Sequence, residues 1–182
     1  MKSGVWTRLR PAVAALAALL VLPLLAPVGA GAGGNAELAL STLELSTIDS
    51  INAVRAAHGL APLEFSPELF GSALLQCRQM AAGGYFAHND PGGPSFASRL
   101  AAFYPQGSHR FYSVGENLLW TLRPMSSETI VGKWMNSPEH RAILLGPSWR
   151  QVAVAVLSVP SAPGVFGDAP VTFVTADFGV RR

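Results

Sequence analysis

The sequence predicts an α+β domain in which helices come first along the chain and a pair of strands comes last. Apolar residues recur at helical spacing through the first half, and capping residues bracket those segments. From Gln151 onward the character changes to segments rich in β-branched and apolar residues. Helices followed by a β-pair are typical of a layered α+β domain.

The first predicted helix runs from about residue 41 to residue 58. Gly59 provides a C-terminal stop signal. The segment "LAPLEF" that follows is predicted to be extended, because a residue before proline avoids helical geometry. The apolar positions expected to face the core recur at helical spacing: Leu45, Ile48, Ile51 and Val54.

A second helix is predicted after the extended segment. Ser66 is a favourable cap, Pro67 suits the first helical position, and the Gly83-Gly84 pair ends the helix. One face carries Leu69, Ala73, Cys77 and Met80. Cys77, the only cysteine, is therefore predicted to be a small buried apolar residue rather than a reactive thiol.

The rest of the chain contains three shorter helical segments and two strands. Helices are predicted over about residues 96–103, 127–136 and 138–144. The strands "QVAVAVLSV" and "VTFVTADFGV" are joined by a segment rich in proline and glycine, which favours an antiparallel hairpin.

The first 32 residues have the layout of a secretory signal peptide. Three basic residues precede an apolar stretch interrupted by Pro23 and Pro27, and a small-residue pattern ends at Ala32. An uncleaved membrane anchor is the alternative, although the interrupted run is marginal against the roughly 20 residues that a spanning helix needs. We expect a secreted protein without a membrane span after cleavage, a flexible lead-in over 33–41 and one domain over 42–182.

The charge balance excludes some classes of partner. Removal of residues 1–32 leaves 13 − 3 = 10 Lys and Arg against 11 Asp and Glu, a net charge of −1. The basic character of the whole sequence therefore belongs largely to the leader, and the domain is not predicted to bind nucleic acid. A single cysteine excludes an intrachain disulfide. We expect a monomer held together by packing.

Three segments place polar residues among apolar neighbours: "GGYFAHNDPGG" with His88, "YSVGENLLW" with Glu116 and Asn117, and "KWMNSPEHRAILLG" with His140. Each has a structural explanation: His88 as a satisfied histidine at a helix end, Glu116 as an acceptor of backbone N–H groups, and Glu139 as a charge complementing a helix N-terminus. Their coincidence in one chain favours a polar site.

His140 has a more specific interpretation. In a helix that begins at Pro138 it lies in the first turn, where positive charge is disfavoured, and neutral imidazole is the form that binds metals. With His88 and Glu116 it would form a site for a divalent cation such as zinc. Their separations of 28 and 24 residues match no short metal motif. There is no H-E-x-x-H, and an inverted motif would need histidine where Asn136 stands. Neither G-x-S-x-G nor a credible phosphate loop is present.

In order along the chain, "INAVRAAHGLAPLEFSPEL", "MAAGGYFAHND", "VGENLLW", "WMNSPEHRAILLG" and "VTADFG" resemble a bacterial member of the CAP superfamily. That superfamily groups cysteine-rich secretory proteins, venom antigens and plant pathogenesis-related proteins. The resemblance implies an α-β-α sandwich around a central antiparallel sheet, and a shallow cleft lined by two histidines and two acids. His88, Glu116 and His140 match three of those positions. Ser137 stands where the second acid is expected, so that role is not transferred to Glu139.

The resemblance implies a secreted binding module, with a divalent cation held by His88, His140 and Glu116, and with Ser137 and Asn117 also lining the cleft. Its partner would be an extracellular protein, a cell-wall component or a lipid. A metal-dependent hydrolase is one alternative, which the missing second acid, the fourth group of the cleft, makes less favourable. A lipid or sterol carrier is another; it would show a sizeable apolar groove, for which Trp120, Tyr85 and Phe111 are candidates.

Overall fold

The computed structural model describes residues 40–182. The predicted signal peptide over 1–32, and all but the last two residues of the lead-in over 33–41, lie outside the described residues. Within residues 40–182, no helix is both long and apolar enough to cross a membrane.

A four-stranded sheet forms the centre of the domain, with strand order β1-β3-β4-β2. Its strands are β1 (Glu64–Phe65), β2 (Tyr112–Thr121), β3 (Gln151–Ala162) and β4 (Ala169–Arg181). Strands β3 and β4 form the predicted antiparallel hairpin, and β2 pairs antiparallel with β4. The two-residue β1 pairs parallel with β3, so the sheet is mixed rather than purely antiparallel.

Five α-helices of the described residues cover the two faces of this sheet: α1 (Thr42–Ala57), α2 (Pro67–Gly83), α3 (Phe96–Phe103), α4 (Ser127–Met135) and α5 (Pro138–Leu144). Alternate residues of β3 enter different cores, because successive side chains of a strand point to opposite faces. Ala153 packs with the α2 and α3 residues, whereas Val154 packs with residues from α1, α4 and α5. The α-β-α sandwich implied by the sequence resemblance is therefore confirmed.

The predicted helix ends agree with the structure. The Ser41 side chain accepts from the Glu44 N–H and the Glu44 carboxylate accepts from the Ser41 N–H, which closes a capping box. Ser66 caps α2 ahead of Pro67. Gly84 ends α2 at φ 66°, a left-handed conformation that favours glycine. These local signals set the starting points of both long helices.

The face of α1 that was predicted to be buried is only partly correct. Ile48 and Ile51 are buried, but the side chain of Leu45 is 49% exposed. Instead, Glu44 is buried because its carboxylate also accepts from the backbone N–H of Val156 on β3. The buried face of α1 therefore includes Glu44 rather than Leu45, and the hydrogen bond to the sheet accounts for the difference.

Cys77 is completely buried on α2, as predicted. Its thiol lies 3.3 Å from the Thr175 hydroxyl, and burial raises the pKa of Cys77 to about 12. The thiol therefore stays protonated at neutral pH, which agrees with a structural role.

Strand β2 was not predicted, and its segment was interpreted only as an apolar stretch with polar residues. It is an edge strand of the sheet. The indole Nε1 of Trp134 donates to the Leu118 carbonyl at 3.1 Å, so part of that edge is covered by α4. This cover lowers the tendency of the edge to pair with another chain.

Candidate functional site

Strand β2 sends its two central polar residues to opposite sides of the sheet. Glu116 and Asn117 are adjacent, and successive residues of a strand face opposite ways. The Glu116 carboxylate contacts α3 and the loop after α2, whereas the Asn117 amide donates to the His140 carbonyl of α5 at 3.0 Å. The predicted explanation that Glu116 accepts from loop N–H groups is therefore wrong, because its oxygens contact side chains.

His88 lies in the loop between α2 and α3, where it meets Glu116. Its Nδ1 is 2.7 Å from Glu116 Oε1, and its side chain is 51% exposed while that of Glu116 is 1% exposed. Burial, followed by the nearby charge of Arg99, lowers the pKa of His88. A neutral ring that donates from Nδ1 to the carboxylate keeps a lone pair on Nε2, and this atom can bind a ligand.

Arg99 on α3 is the main site residue that sequence reasoning missed. Its guanidinium forms an ion pair with Glu116 and donates to the side-chain oxygen of Gln76. It also donates to the His88 carbonyl at 3.1 Å and to the Ser72 hydroxyl at 3.4 Å. One buried cation thus fixes both the carboxylate and the backbone of the histidine loop. The available signal was a single charged residue within the mainly apolar helix "FASRLAAF".

A second carboxyl, Asp177 on β4, lies behind Glu116. The two residues are partners in the β2–β4 register, so their side chains share one face. Burial, countered by Arg99, raises the pKa of Glu116 to about 7. Burial and then the charge of Glu116 raise the pKa of Asp177 well above its ordinary value. Arg99 pairs with Glu116, whereas no ion pair of the described residues involves Asp177, so we infer that Asp177 is the carboxyl that keeps its proton at neutral pH.

His140 lies on α5. Burial and the nearby His88 both lower the pKa of His140. The lowered pKa agrees with the predicted neutral imidazole, and its causes are burial and then the charge of His88. The Asn117 contact with the His140 carbonyl ties the start of α5 to β2. The charge of His88 thus acts on His140, although His140, Asn117 and Ser137 are not among the residues that line the cavity beside His88.

Ser137 occupies the N-cap position of α5 but makes no side-chain cap hydrogen bond. Its hydroxyl donates to Glu139 Oε2 at 3.2 Å instead. Glu139 is exposed, and backbone and Ser137 hydrogen bonds lower its pKa. Ser137 therefore holds the cap position while its side chain interacts with the first turn through Glu139 rather than through a backbone N–H.

An open cavity of about 320 Å³ lies beside His88 and Glu116. Its other lining residues are mostly apolar: Asn89, Phe96, Val114, Gly115 and Ile143. A Cβ on Gly115 would lie 3.0 Å from the Trp149 ring, so glycine lets that ring pack against β2. The cavity combines one exposed imidazole with apolar walls, which is a typical composition for a ligand site.

The residues present fit a metal ion only in part. Both Glu116 oxygens are engaged, by His88 and by Arg99. Across residues 40–182 there is no group of three His, Cys, Asp or Glu side chains placed to hold an ion. In this arrangement Glu116 orients His88, as carboxylates behind metal-binding histidines commonly do. Direct coordination by Glu116 stays a prediction, and it would require the loss of one of these two contacts.

Solved structures with this fold come from several bacteria. An extracellular protein containing an SCP domain from Bacillus anthracis superposes with a TM-score of 0.55 at 23% identity, covering 76% of this chain and 40% of that chain. An outer surface protein from Borrelia burgdorferi gives 0.58 at 18% identity, covering 74% and 90%. A cysteine-rich secretory protein from Staphylococcus aureus gives 0.54 at 18% identity, covering 75% and 38%. At these identities the likeness concerns the fold.

Two curated relatives come from Bacillus subtilis. The uncharacterized protein YkwD is 28% identical over 120 residues, which are 66% of this chain and 44% of YkwD. The uncharacterized membrane protein YlbC is 29% identical over 116 residues, which are 64% of this chain and 32% of YlbC. The match thus spans less than half the length of either relative. The model of the cysteine-rich secretory protein family matches residues 48–178, well over half of this chain, and the protein therefore belongs to the CAP family.

Proposed function

We propose that the protein is a secreted binding module that uses the His88–Glu116 cleft to hold an extracellular ligand, with a divalent cation such as zinc shared by His88 and His140. The observation that carries this proposal is the buried Arg99–Glu116 pair behind a half-exposed histidine. Two fixed contacts on Glu116 preorganise the His88 ring, and preorganisation lowers the entropy cost of binding.

The acids of the cleft favour binding over hydrolysis. Among residues 40–182, Glu116 is the only acid that lines the cavity, and the position expected for a second acid is Ser137. A hydrolase needs a general base that can reach the reacting water. Glu116 is already bonded to Arg99 and His88, and Asp177 is completely buried. Neither carboxyl is therefore free to act as a general base, and the atom that the cleft does expose is Nε2 of His88, which our proposal uses to bind a ligand.

Zinc titration by calorimetry at pH 7.5 and pH 5.5 tests the cation site. Because His88 and His140 would each supply a nitrogen, His88→Ala and His140→Ala should each weaken zinc binding by about tenfold or more. Affinity in the wild type should fall at pH 5.5, since protons compete for the same lone pairs. His109→Ala is the matched control, because His109 is exposed and its side chain makes no hydrogen bond to any described residue. Equal zinc affinity in all four proteins would contradict a shared site.

A lipid carrier is the second candidate, because an apolar groove does exist. It lies between α1 and α4 with a volume of about 360 Å³, and it is lined by Ser50, Ala53, Val54, Glu128, Val131, Gly132 and Met135. None of the three aromatic residues proposed from the sequence lines it. If a fluorescent fatty acid binds the protein with the same affinity in both histidine variants, and zinc binds none of the proteins, the carrier is the better assignment.

A further inference from the structure

A second groove, outside the His88 cleft, lies at the end of edge strand β2. It is formed by residues 120–125 together with Thr129 and Lys133 of α4, and its volume is about 510 Å³. It shares no lining residue with the cavity beside His88. It also lies apart from every residue that the proposed function uses.

An exposed and rigidly held indole forms one wall of the groove. Trp120 is 36% exposed. Its ring stands edge-on to Phe166, with centroids 5.2 Å apart, and Phe166 stands edge-on to the buried Phe173 at 5.0 Å. This stack holds the indole in place while part of it remains open to solvent. The face of an aromatic ring is electronegative, so it attracts the weakly positive C–H groups on the flat side of a sugar ring.

Two cations line the same groove as the indole without a carboxylate partner among the described residues. Arg123 and Lys133 are exposed, and neither forms an ion pair within residues 40–182. No acidic residue of this described part of the chain lines the groove. The Thr121 hydroxyl donates to the Arg123 carbonyl at 2.8 Å and accepts from its N–H at 3.0 Å, which fixes the backbone of the turn. Since residues 33–182 carry a net charge of −1, this positive potential is local rather than general.

We infer that this groove binds an anionic polysaccharide. One sugar ring of the polysaccharide would stack on Trp120, and carboxylates of the same polysaccharide would pair with Arg123 and Lys133. A peptide that adds to the edge of β2 would need free backbone groups, and the nearby Leu118 carbonyl is already bonded to Trp134. A lipid bilayer would pair its phosphates with the two cations, but it offers no sugar ring to stack on Trp120. A chain of charged sugars can both stack on the aromatic ring and pair with the two cations.

The test measures binding of the full chain to polygalacturonate by calorimetry at low salt. Dextran serves as the neutral sugar polymer, and polyglutamate as a carboxylate polymer without sugar rings. The Arg123→Gln/Lys133→Gln variant should bind polygalacturonate about tenfold more weakly, because two close charge pairs are lost. The matched control Arg78→Gln/Arg110→Gln removes the same charge at two exposed arginines that form no ion pair within residues 40–182, and should keep its affinity.

Trp120→Ala separates stacking from charge, and should weaken polygalacturonate binding without changing the salt dependence. Should this variant lose its fold because Trp120 packs on Phe166, the two cation variants still decide the matter, since their side chains are exposed. Binding of polyglutamate as tight as that of polygalacturonate would overturn the inference. So would an equal loss in both double variants, or binding to phosphatidylglycerol vesicles that depends on Arg123 and Lys133 when polygalacturonate does not bind.

Discussion

Two buried arginines, one on each side of the sheet, show how differently the two layers use the same residue type. Arg55, on the α1 side, donates only to backbone carbonyls among the described residues, those of Ala61, Leu144 and Gly146, at 2.8–3.0 Å. Arg99, on the α2 side, forms an ion pair with the carboxylate of Glu116. The first connects α1 to the C-terminal end of α5, and the second holds a titratable group beside an open cavity.

The contrast teaches that burial of charge by itself does not mark a functional site. Neutral carbonyl partners make Arg55 insensitive to the protonation of other groups. The Arg99 layer, by contrast, contains Glu116 and Asp177, which are partners across β2 and β4 and have raised pKa values. The contacts of Arg55 stabilise the α1 side of the sheet. On the α2 side, burial of two carboxyls costs stability, and one of them, Glu116, holds His88 in place.

The largest expected effect comes from a substitution in the hydrophobic core on the α1 side of the sheet. Trp134 is completely buried on the inner face of α4, and its indole also donates to the Leu118 carbonyl. Trp134→Ala should lower the free energy of unfolding by about 3–5 kcal/mol through the cavity it leaves. Chemical denaturation should show the same loss at pH 5 and at pH 8, since no titratable group is involved. An unchanged midpoint would contradict the assignment of Trp134 to the core.

Arg99→Met should cost about 3 kcal/mol at pH 8, because it leaves the Glu116 carboxylate buried without its cation. The loss, measured by chemical denaturation, should shrink at pH 5. Burial already raises the pKa of Glu116 to about 7, and removal of the cation raises it further, so at pH 5 the carboxyl is protonated and needs no partner.

Arg55→Met is the matched control for this measurement, since it removes a buried guanidinium bonded to carbonyls. Its loss of unfolding free energy should not depend on the protonation of Glu116. If both variants showed the same pH dependence between pH 5 and pH 8, the comparison between the two layers would fail.

The smallest expected effect is a gain in stability. In the folded protein, burial and the charge of Glu116 raise the pKa of Asp177 above its unfolded value. The folded state therefore binds a proton that the unfolded state releases, and stability falls as pH rises above the unfolded pKa. Asp177→Asn removes this titration, so it should raise the melting temperature by a few degrees at pH 8 and have little effect near pH 4. A lower melting temperature at pH 8 would contradict the assigned proton.

Local signals predicted most of the secondary structure, and they failed where distant contacts compete. The cap at Ser66 and the glycines after α2 bounded that helix correctly. Strand β2 was missed because Gly115, Glu116 and Asn117 interrupt its apolar character. The strand tolerates these residues because each has a tertiary contact. Gly115 packs against the Trp149 ring, Glu116 pairs with Arg99, and Asn117 donates to a carbonyl of α5. The exposed Leu45 was misplaced because a bond from Glu44 to the sheet rotates α1.

The sequence by itself determined the helix boundaries, the C-terminal hairpin, the buried Cys77 and the residue types of the cleft, because each depends on neighbours a few positions away. The structure alone revealed the pairing of Glu116 with Asp177, the insertion of Arg99 and the meeting of His88 with Glu116. Those contacts join residues 17 to 61 positions apart in the sequence. Their distances depend on how α2, α3 and the sheet pack together, since tertiary packing sets the local dielectric and the partners of each charge.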